Sequence, residues 1–285
     1  MKELTLVEAA ALLQPGMTAF IHGGVTEPRR WVEQLVAEPA ALTGVHLMCS
    51  FIPGINGVNL AGLAPESHVT AFMHQPGLTP AIAAGQATAL RLPYSSVVKY
   101  LQDLPGIDLA VIRGRMTKDG VSTSMTGEFL PLVAERAAQV CLIDDEALPV
   151  PASGTSVPVD HIRWRVRATG PLQEYVTAGR MDAVSEAIAA HVATLINDGD
   201  AIEAGIGLVP AALYANLHKR RKLRMRTGIF GDALVDLAAA GALDTDYQHT
   251  AAFALGTHKL FRWLEGRADF RIAPCTETHN LDALA

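Results

Sequence analysis

Four short runs constrain this chain more than any other feature: Ala19-Phe20-Ile21, Val45-His46-Leu47-Met48, Leu109-Ala110-Val111-Ile112 and Val140-Cys141-Leu142-Ile143. Each is apolar almost without interruption. A strand with one wet face would alternate; a near-continuous apolar strand needs cover on both faces, which is the condition of a parallel sheet. Between the runs the period changes. Phe129, Leu132, Val133 and Ala137 fall on one face of a helix expected over 129–138. Apolar strands alternating with amphipathic helices predict an α/β fold with a mostly parallel sheet.

Composition narrows the function classes. Of 285 residues 49% are apolar and 18% charged, which suits a large core and excludes a disordered tail or a charged solenoid. A net charge of −6 with 6% aromatics argues against nucleic acid as a partner. Cys49, Cys141 and Cys275 are odd in number and far apart, so no disulfide framework is implied and a cytoplasmic, reducing setting is expected. The opening Met1-Lys2-Glu3-Leu4 has an acid where an export signal would begin its apolar run. Between Pro39 and Leu90 the only formal charge is Glu66. Pro53, Gly54, Asn56, Gly57, Asn59 and Gly62 break that stretch, so it reads as a buried layer near an interface or cleft rather than a membrane span. A homo-oligomer is expected.

The chain changes character over 145–181. Pro149, Pro151, Ser153, Gly154, Ser156 and Pro158 cluster, and Arg163-Trp164-Arg165-Val166-Arg167 alternates like an exposed strand. Asp182 then reads as the N-cap of a helix carrying Val184, Ala187, Ile188, Val192 and Leu195 on its apolar positions. A boundary at 176–181 divides the chain into 1–178 and 179–285. The two sides share a pattern at a constant offset of 182: Gly23 meets Gly205, Pro28 meets Pro210, and Trp31 and Leu35 meet Leu213 and Leu217. Strand, glycine turn, then proline in the first helical turn is one physical unit. Two similar open, mostly parallel-sheet domains are therefore expected. Such turns aim N–H groups at an anion or a developing oxyanion, although any αβ unit also needs a tight turn.

A longer series of motifs narrows the reading. Ile196-Asn197-Asp198-Gly199-Asp200-Ala201-Ile202-Glu203-Ala204-Gly205-Ile206-Gly207-Leu208-Val209-Pro210-Ala211-Ala212-Leu213 is followed by Gly231-Asp232-Ala233-Leu234-Val235-Asp236-Leu237 and by Leu255-Gly256-Thr257-His258-Lys259-Leu260-Phe261. Asp119-Gly120-Val121-Ser122 lies upstream. In order and spacing this series resembles the acetyl-CoA hydrolase/CoA-transferase family, which includes 4-hydroxybutyrate and acetate CoA-transferases. The resemblance implies an α/β fold of CoA-transferase type, acyl-CoA and small carboxylates as substrates, no metal, and either transfer of CoA between carboxylates or hydrolysis of an acyl-CoA thioester. It implies CoA-binding positions at Gly205, Ile206, Gly207, Gly231 and Asp232, and backbone oxyanion donors at Gly23 and Gly24. In the family a glutamate attacks the thioester and passes through an anhydride to a glutamyl-CoA thioester.

Two departures accompany the resemblance. The family's glutamate precedes the aspartate of its S-D-G element by four residues, and here that position is Gly228, within Arg226-Thr227-Gly228-Ile229-Phe230-Gly231-Asp232. The family also continues past the Gly-Thr element through a Gly-Gly-Gln-x-Asp-like segment, which a second polypeptide could supply. Glu203, Glu27 and Glu128 are the candidate replacement carboxylates; each also reads as a solvated or capping acid. A catalytically degenerate protein that binds CoA or a partner is the alternative. Asp232 is expected to cap the helix ending before Gly241. The basic run Lys219-Arg220-Arg221-Lys222-Leu223-Arg224-Met225-Arg226 suits CoA phosphates or, more simply, a helix C-terminus. Gly120-Val121-Ser122-Thr123-Ser124 lacks the last glycine of a serine-hydrolase elbow. His46, His68 and His74 lack metal-ligand spacing. Gly205-x-Gly207 with Arg224 downstream keeps an NADP oxidoreductase as an outsider.

Overall fold

The protein is described by a computed structural model covering residues 1–176 and 182–280. The expected boundary at 178/179 lies outside the described residues. In the first half the elements are β1 (Lys2–Glu3), α1 (Leu6–Ala10), β2 (Thr18–Ile21), α2 (Arg29–Ala37), β3 (His46–Cys49), β4 (His68–Ala71), α3 (Thr79–Ala83), β5 (Ala87–Ala89), α4 (Tyr94–Asp103), β6 (Leu109–Thr117), β7 (Gly120–Ser122), α5 (Leu130–Arg136), β8 (Val140–Asp144), β9 (Ser156–Val157) and β10 (Ile162–Arg167). Strands run in the order β1-β10-β8-β6-β2-β3-β4-β5, and every neighbouring pair is parallel. Antiparallel β7 and β9 extend the sheet beside β6.

The apolar runs explain this sheet residue by residue. Along a strand, successive side chains point to opposite faces. Phe20, Met48, Ala110, Ile112 and Leu142 join the core beneath α4 and α5, where Val97, Leu101, Leu130 and Val133 are buried. Their neighbours Ala19, Ile21, Leu47, Val111, Cys141 and Ile143 join a second core with Trp31, Val32 and Leu35 of α2. Both faces are dry, so alternation is absent from the sequence. The chain winds outward in both directions from the β2–β6 pair, and the ends of strands at such a reversal form the natural crevice of an open α/β sheet. Gly23 and Gly24 follow β2 at this place.

The second half contains α6 (Ala183–Ala193), β11 (Ala201–Ile202), α7 (Leu208–Asn216), β12 (Arg224–Met225), β13 (Ile229–Phe230), α8 (Ala233–Ala239), β14 (His249–Ala251), β15 (Phe253–Ala254), α9 (His258–Leu264), β16 (Phe270–Ile272) and α10 (Cys275–Thr278). Its strand pairs β11–β12, β13–β15 and β14–β16 are parallel, and a parallel bridge from Arg226 to Thr250 connects β12 with β14. Asp182 caps α6 as expected, accepting from the Ser185 N–H at 2.8 Å. Strand, glycine turn and helix recur in β2–α2 and β11–α7, but Pro28 immediately precedes α2 whereas Pro210 sits inside the first turn of α7.

Backbone hydrogen bonds join the halves. The Gly127 N–H donates to Ala252 O, the Ala254 N–H to Met125 O, and the Cys275 N–H to Glu128 O. A Cβ at Gly127 would overlap the Ala273 carbonyl, so this close approach needs glycine. On the other side, the buried Arg113 guanidinium pairs with Asp145 and donates to the carbonyls of Glu27, Gly170 and Pro171, holding the connecting segment against the sheet. Burying such a pair is tolerable only because its hydrogen-bonding capacity is filled. One apolar cluster then runs from Phe20 through Phe129 to Phe253 and Leu213.

Candidate active site

Where the halves meet there is a cavity of about 430 Å³. Ile52, Pro53, Met73 and Tyr94 line it from the first half, and Glu203–Ile206, Thr227–Ile229, Phe253, Leu255 and His279 from the second. The charge-poor 39–90 stretch thus reaches the cleft through Ile52 and Pro53. A second cleft of about 300 Å³ shares Gly205, Ile206 and Leu255 with the first, and is also lined by Gly207, Pro210, Gly231, Asp232 and Asp236. All five positions singled out as CoA-binding, Gly205, Ile206, Gly207, Gly231 and Asp232, face this cleft. Gly207 has φ +125°, a conformation that favours glycine, and it opens α7. Among the described residues, the N–H groups of Gly205, Ile206 and Gly207 have no acceptor. They are free to receive an anion at a helix N-terminus.

Gly228 lines the larger cavity at a break in its strand. Its carbonyl accepts from the N–H groups of both Ala252 and Phe253, and buried Thr227 donates its hydroxyl to Ala204 O at 3.0 Å. These bonds fix the kink between β12 and β13.

The three candidate carboxylates part company. Glu203 is exposed and lines the cavity. Glu128 is fully buried behind Tyr94 with φ +39°, and its carboxyl accepts from Ser50 Oγ at 2.8 Å and from the Tyr94 hydroxyl at 3.4 Å. Burial pushes its pKa up to about 8, the two hydrogen bonds offsetting only part of that, so it is mostly protonated at neutral pH. Glu27 is also buried and raised by desolvation, which the nearby Arg29, its Nη1 at 3.7 Å, offsets only in part. Neither Glu27 nor Glu128 is among the residues that line the cavity.

The turn after β2 is internally satisfied. The Gly23 N–H donates to Ser50 Oγ and the Gly24 N–H to Asn56 Oδ1, at 2.9 and 2.8 Å. As oxyanion donors they would need those side chains to release them. Asp232 corrects an expectation: it precedes α8 but makes no side-chain cap, its carboxylate accepting instead from the backbone N–H and hydroxyl of Thr257. The basic run takes its structural reading. Arg220 donates to Ala193 O at the end of α6, Arg221 to the carbonyls of His218 and Arg220, and Arg224 to Gly199 O. Arg224 also stacks on Tyr247 and lines neither cavity, which removes the NADP 2′-phosphate partner.

Sequence reasoning passed over Ser50, Asn56, Tyr94 and His279. Tyr94 and His279 stack with ring centroids 5.2 Å apart, yet they are far separated along the chain and belong to no motif.

No protein-family model matches this chain. It is 24% identical over 281 residues to the succinyl-CoA:cyclohexane-1-carboxylate CoA transferase of Geobacter metallireducens, covering 94% of this chain and 63% of that protein. It is 25% identical over 291 residues to the 4-hydroxybutyrate coenzyme A transferase of Clostridium kluyveri, covering 99% of this chain and 66% of the other. Over most of its length the chain is similar in sequence to CoA-transferases. It spans just under two-thirds of the length of these two curated relatives. Solved structures agree on the fold. The 4-hydroxybutyrate CoA-transferase of Porphyromonas gingivalis superimposes with a TM-score of 0.79 at 17% identity, over 99% of this chain and 70% of the other. RipA of Yersinia pestis gives 0.85 at 16%, over 100% and 70%. These bear out the α/β architecture of CoA-transferase type.

Proposed function

We propose that this chain binds acyl-CoA across its two adjoining clefts and moves CoA between carboxylates. One observation carries the reading: the five motif positions expected to hold CoA line a single cleft, which shares Gly205, Ile206 and Leu255 with the cavity containing Gly228. The unpaired N–H groups at the start of α7 suit a phosphate or an oxyanion, and the larger cavity is mostly apolar, as an acyl chain requires. Glu203 is the carboxylate on the cavity wall, and we assign it the role of taking the acyl group and then CoA. Acyl-CoA and small carboxylates are the partners. Exchange of labelled acetate into acetyl-CoA, with borohydride trapping mapped by mass spectrometry, tests this; an adduct on Glu203 supports it, and no exchange with any carboxylate overturns it.

Gly228 favours a second reading, CoA binding without covalent turnover. Protection of the native protein from heat by CoA, with no exchange, would select it. Two further expectations belong with the main reading. Val184, Ile188 and Leu195 are exposed along and just beyond α6, which supports an assembly with a second copy or with another polypeptide. Sedimentation across a wide concentration range tests that. The buried, unpaired Cys49, Cys141 and Cys275 support a reducing, cytoplasmic setting. No helix among the described residues is long and apolar enough to cross a membrane.

A further inference from the structure

His279 follows α10 and lines the cavity beside Gly228. A Cβ placed on Gly228 would lie 3.2 Å from His279 Nε2 and 3.5 Å from its Cε1. The imidazole therefore occupies the space into which a side chain at 228 would project. Its orientation is held twice. The ring packs on Tyr94 with planes at 36°, and Nδ1 lies 2.8 Å from Thr278 Oγ1. That hydroxyl is placed to donate its own hydrogen to Pro274 O at 3.3 Å. Once it does so, only lone pairs remain for the imidazole, which assigns the hydrogen to Nδ1 and leaves Nε2 as an acceptor. Nε2 has no hydrogen-bond partner among the described residues and sits at the cavity wall. Desolvation holds the ring below the ordinary imidazole pKa, which keeps it neutral at pH 7.

We propose that His279 is a catalytic general base that hydrolyses an acyl-CoA thioester bound over Gly228. The proposal rests on the reading that the cavity takes acyl-CoA. Nε2 removes a proton from water as the water oxygen bonds to the thioester carbonyl carbon. The tetrahedral intermediate then breaks its C–S bond, and the imidazolium returns that proton to the departing CoA sulfur. Water and thioester become carboxylic acid and thiol, with no other reactant. Gly228 matters because any larger residue there would cover Nε2.

The test measures thiol release from acetyl-CoA with no carboxylate acceptor present. The protein's three cysteines are buried, so a thiol reagent under native conditions reads CoA. Native protein should release thiol, and His279→Gln and His279→Ala should lower the rate by about a hundredfold or more, the usual contribution of a positioned base. Added imidazole should partly restore His279→Ala, which a packing defect would not permit. CoA should still raise the melting temperature of both variants. Hydrolysis by the variants at the native rate, or no thiol release by a native protein that CoA protects, overturns the proposal. Failure of CoA to protect the native protein overturns the reading of the cavity, and the proposal with it.

Discussion

Asp232 and Thr257, 25 residues apart, are joined by three contacts: the Thr257 N–H reaches both carboxylate oxygens at 3.0 and 3.2 Å, and its hydroxyl reaches Oδ1 at 3.2 Å. Gly256 lies so close that a Cβ there would stand 2.7 Å from Asp232 Oδ1. Two motifs that look independent in sequence are thus the two halves of one clamp, which sets the start of α9 against the start of α8. Asp232→Ala leaves the partly buried Thr257 N–H without an acceptor. It should cost about 1–3 kcal/mol in urea unfolding, and weaken CoA protection because the cleft wall shifts.

Glu128→Gln should change the pH dependence of stability. A carboxyl raised by burial stays protonated in the folded protein while its unfolded counterpart ionises. The native protein should therefore lose stability relative to the variant from about pH 4.5 to about pH 8, and the difference should level off above that. A gap on the order of a few kcal/mol is expected at the plateau. Urea titrations of both proteins at pH 4, 6 and 9 check it; parallel curves would contradict a neutral Glu128.

Gly23→Ala would drive a methyl into the Ser50 carbonyl and disturb the residue that donates to Glu128. Overpacking of this kind costs about 1–3 kcal/mol. Thermal unfolding should show the loss, whereas Gly57→Ala, with open space around it, should change little.

Gly228→Glu would place a carboxylate where the motif resemblance puts the nucleophile, but it meets the His279 ring, which must give by a few tenths of an ångström. A faint borohydride-sensitive adduct at residue 228 is expected after acetyl-CoA, because a misplaced nucleophile can lose on the order of a hundredfold. Peptide mapping of native and variant decides this, and a variant that traps nothing would contradict the alignment of Gly228 with that position.

Arg221→Ala and Arg224→Ala should leave the heat protection given by CoA unchanged, since both guanidinium groups serve backbone carbonyls away from the clefts. A loss of protection in either would return the basic run to the binding surface.

The parallel sheet was legible because β2, β3, β6 and β8 are buried on both faces, and continuous apolar runs report that directly. In the second half, two-residue strands such as β11 and β12 leave little periodicity, and motif spacing carried the reading instead. The glycine turns were readable as turns, but not the occupants of their N–H groups: Ser50 and Asn56 arrive from a distant loop. Asp232 was misread because an acid before a helix looks the same whether it caps that helix or clamps another. His279 had no local signal at all, since its meaning depends on the missing side chain at Gly228, which only the folded chain brings beside it.

The hydrogen bonds that join Met125 and Gly127 to Ala252 and Ala254 also bear on the order of folding. Bringing together residues so far apart in the chain carries a loop-closure cost that nearby contacts avoid, and such pairings form late. Within the first-half sheet, β3–β4, β4–β5 and β6–β8 pair residues much closer in sequence, whereas the cavity walls come together only when the two halves dock. The pocket should then open more readily than those strand pairs. Hydrogen exchange at Gly127 and Ala254, whose N–H groups bridge the halves, would report that opening before the strands of the large sheet exchange.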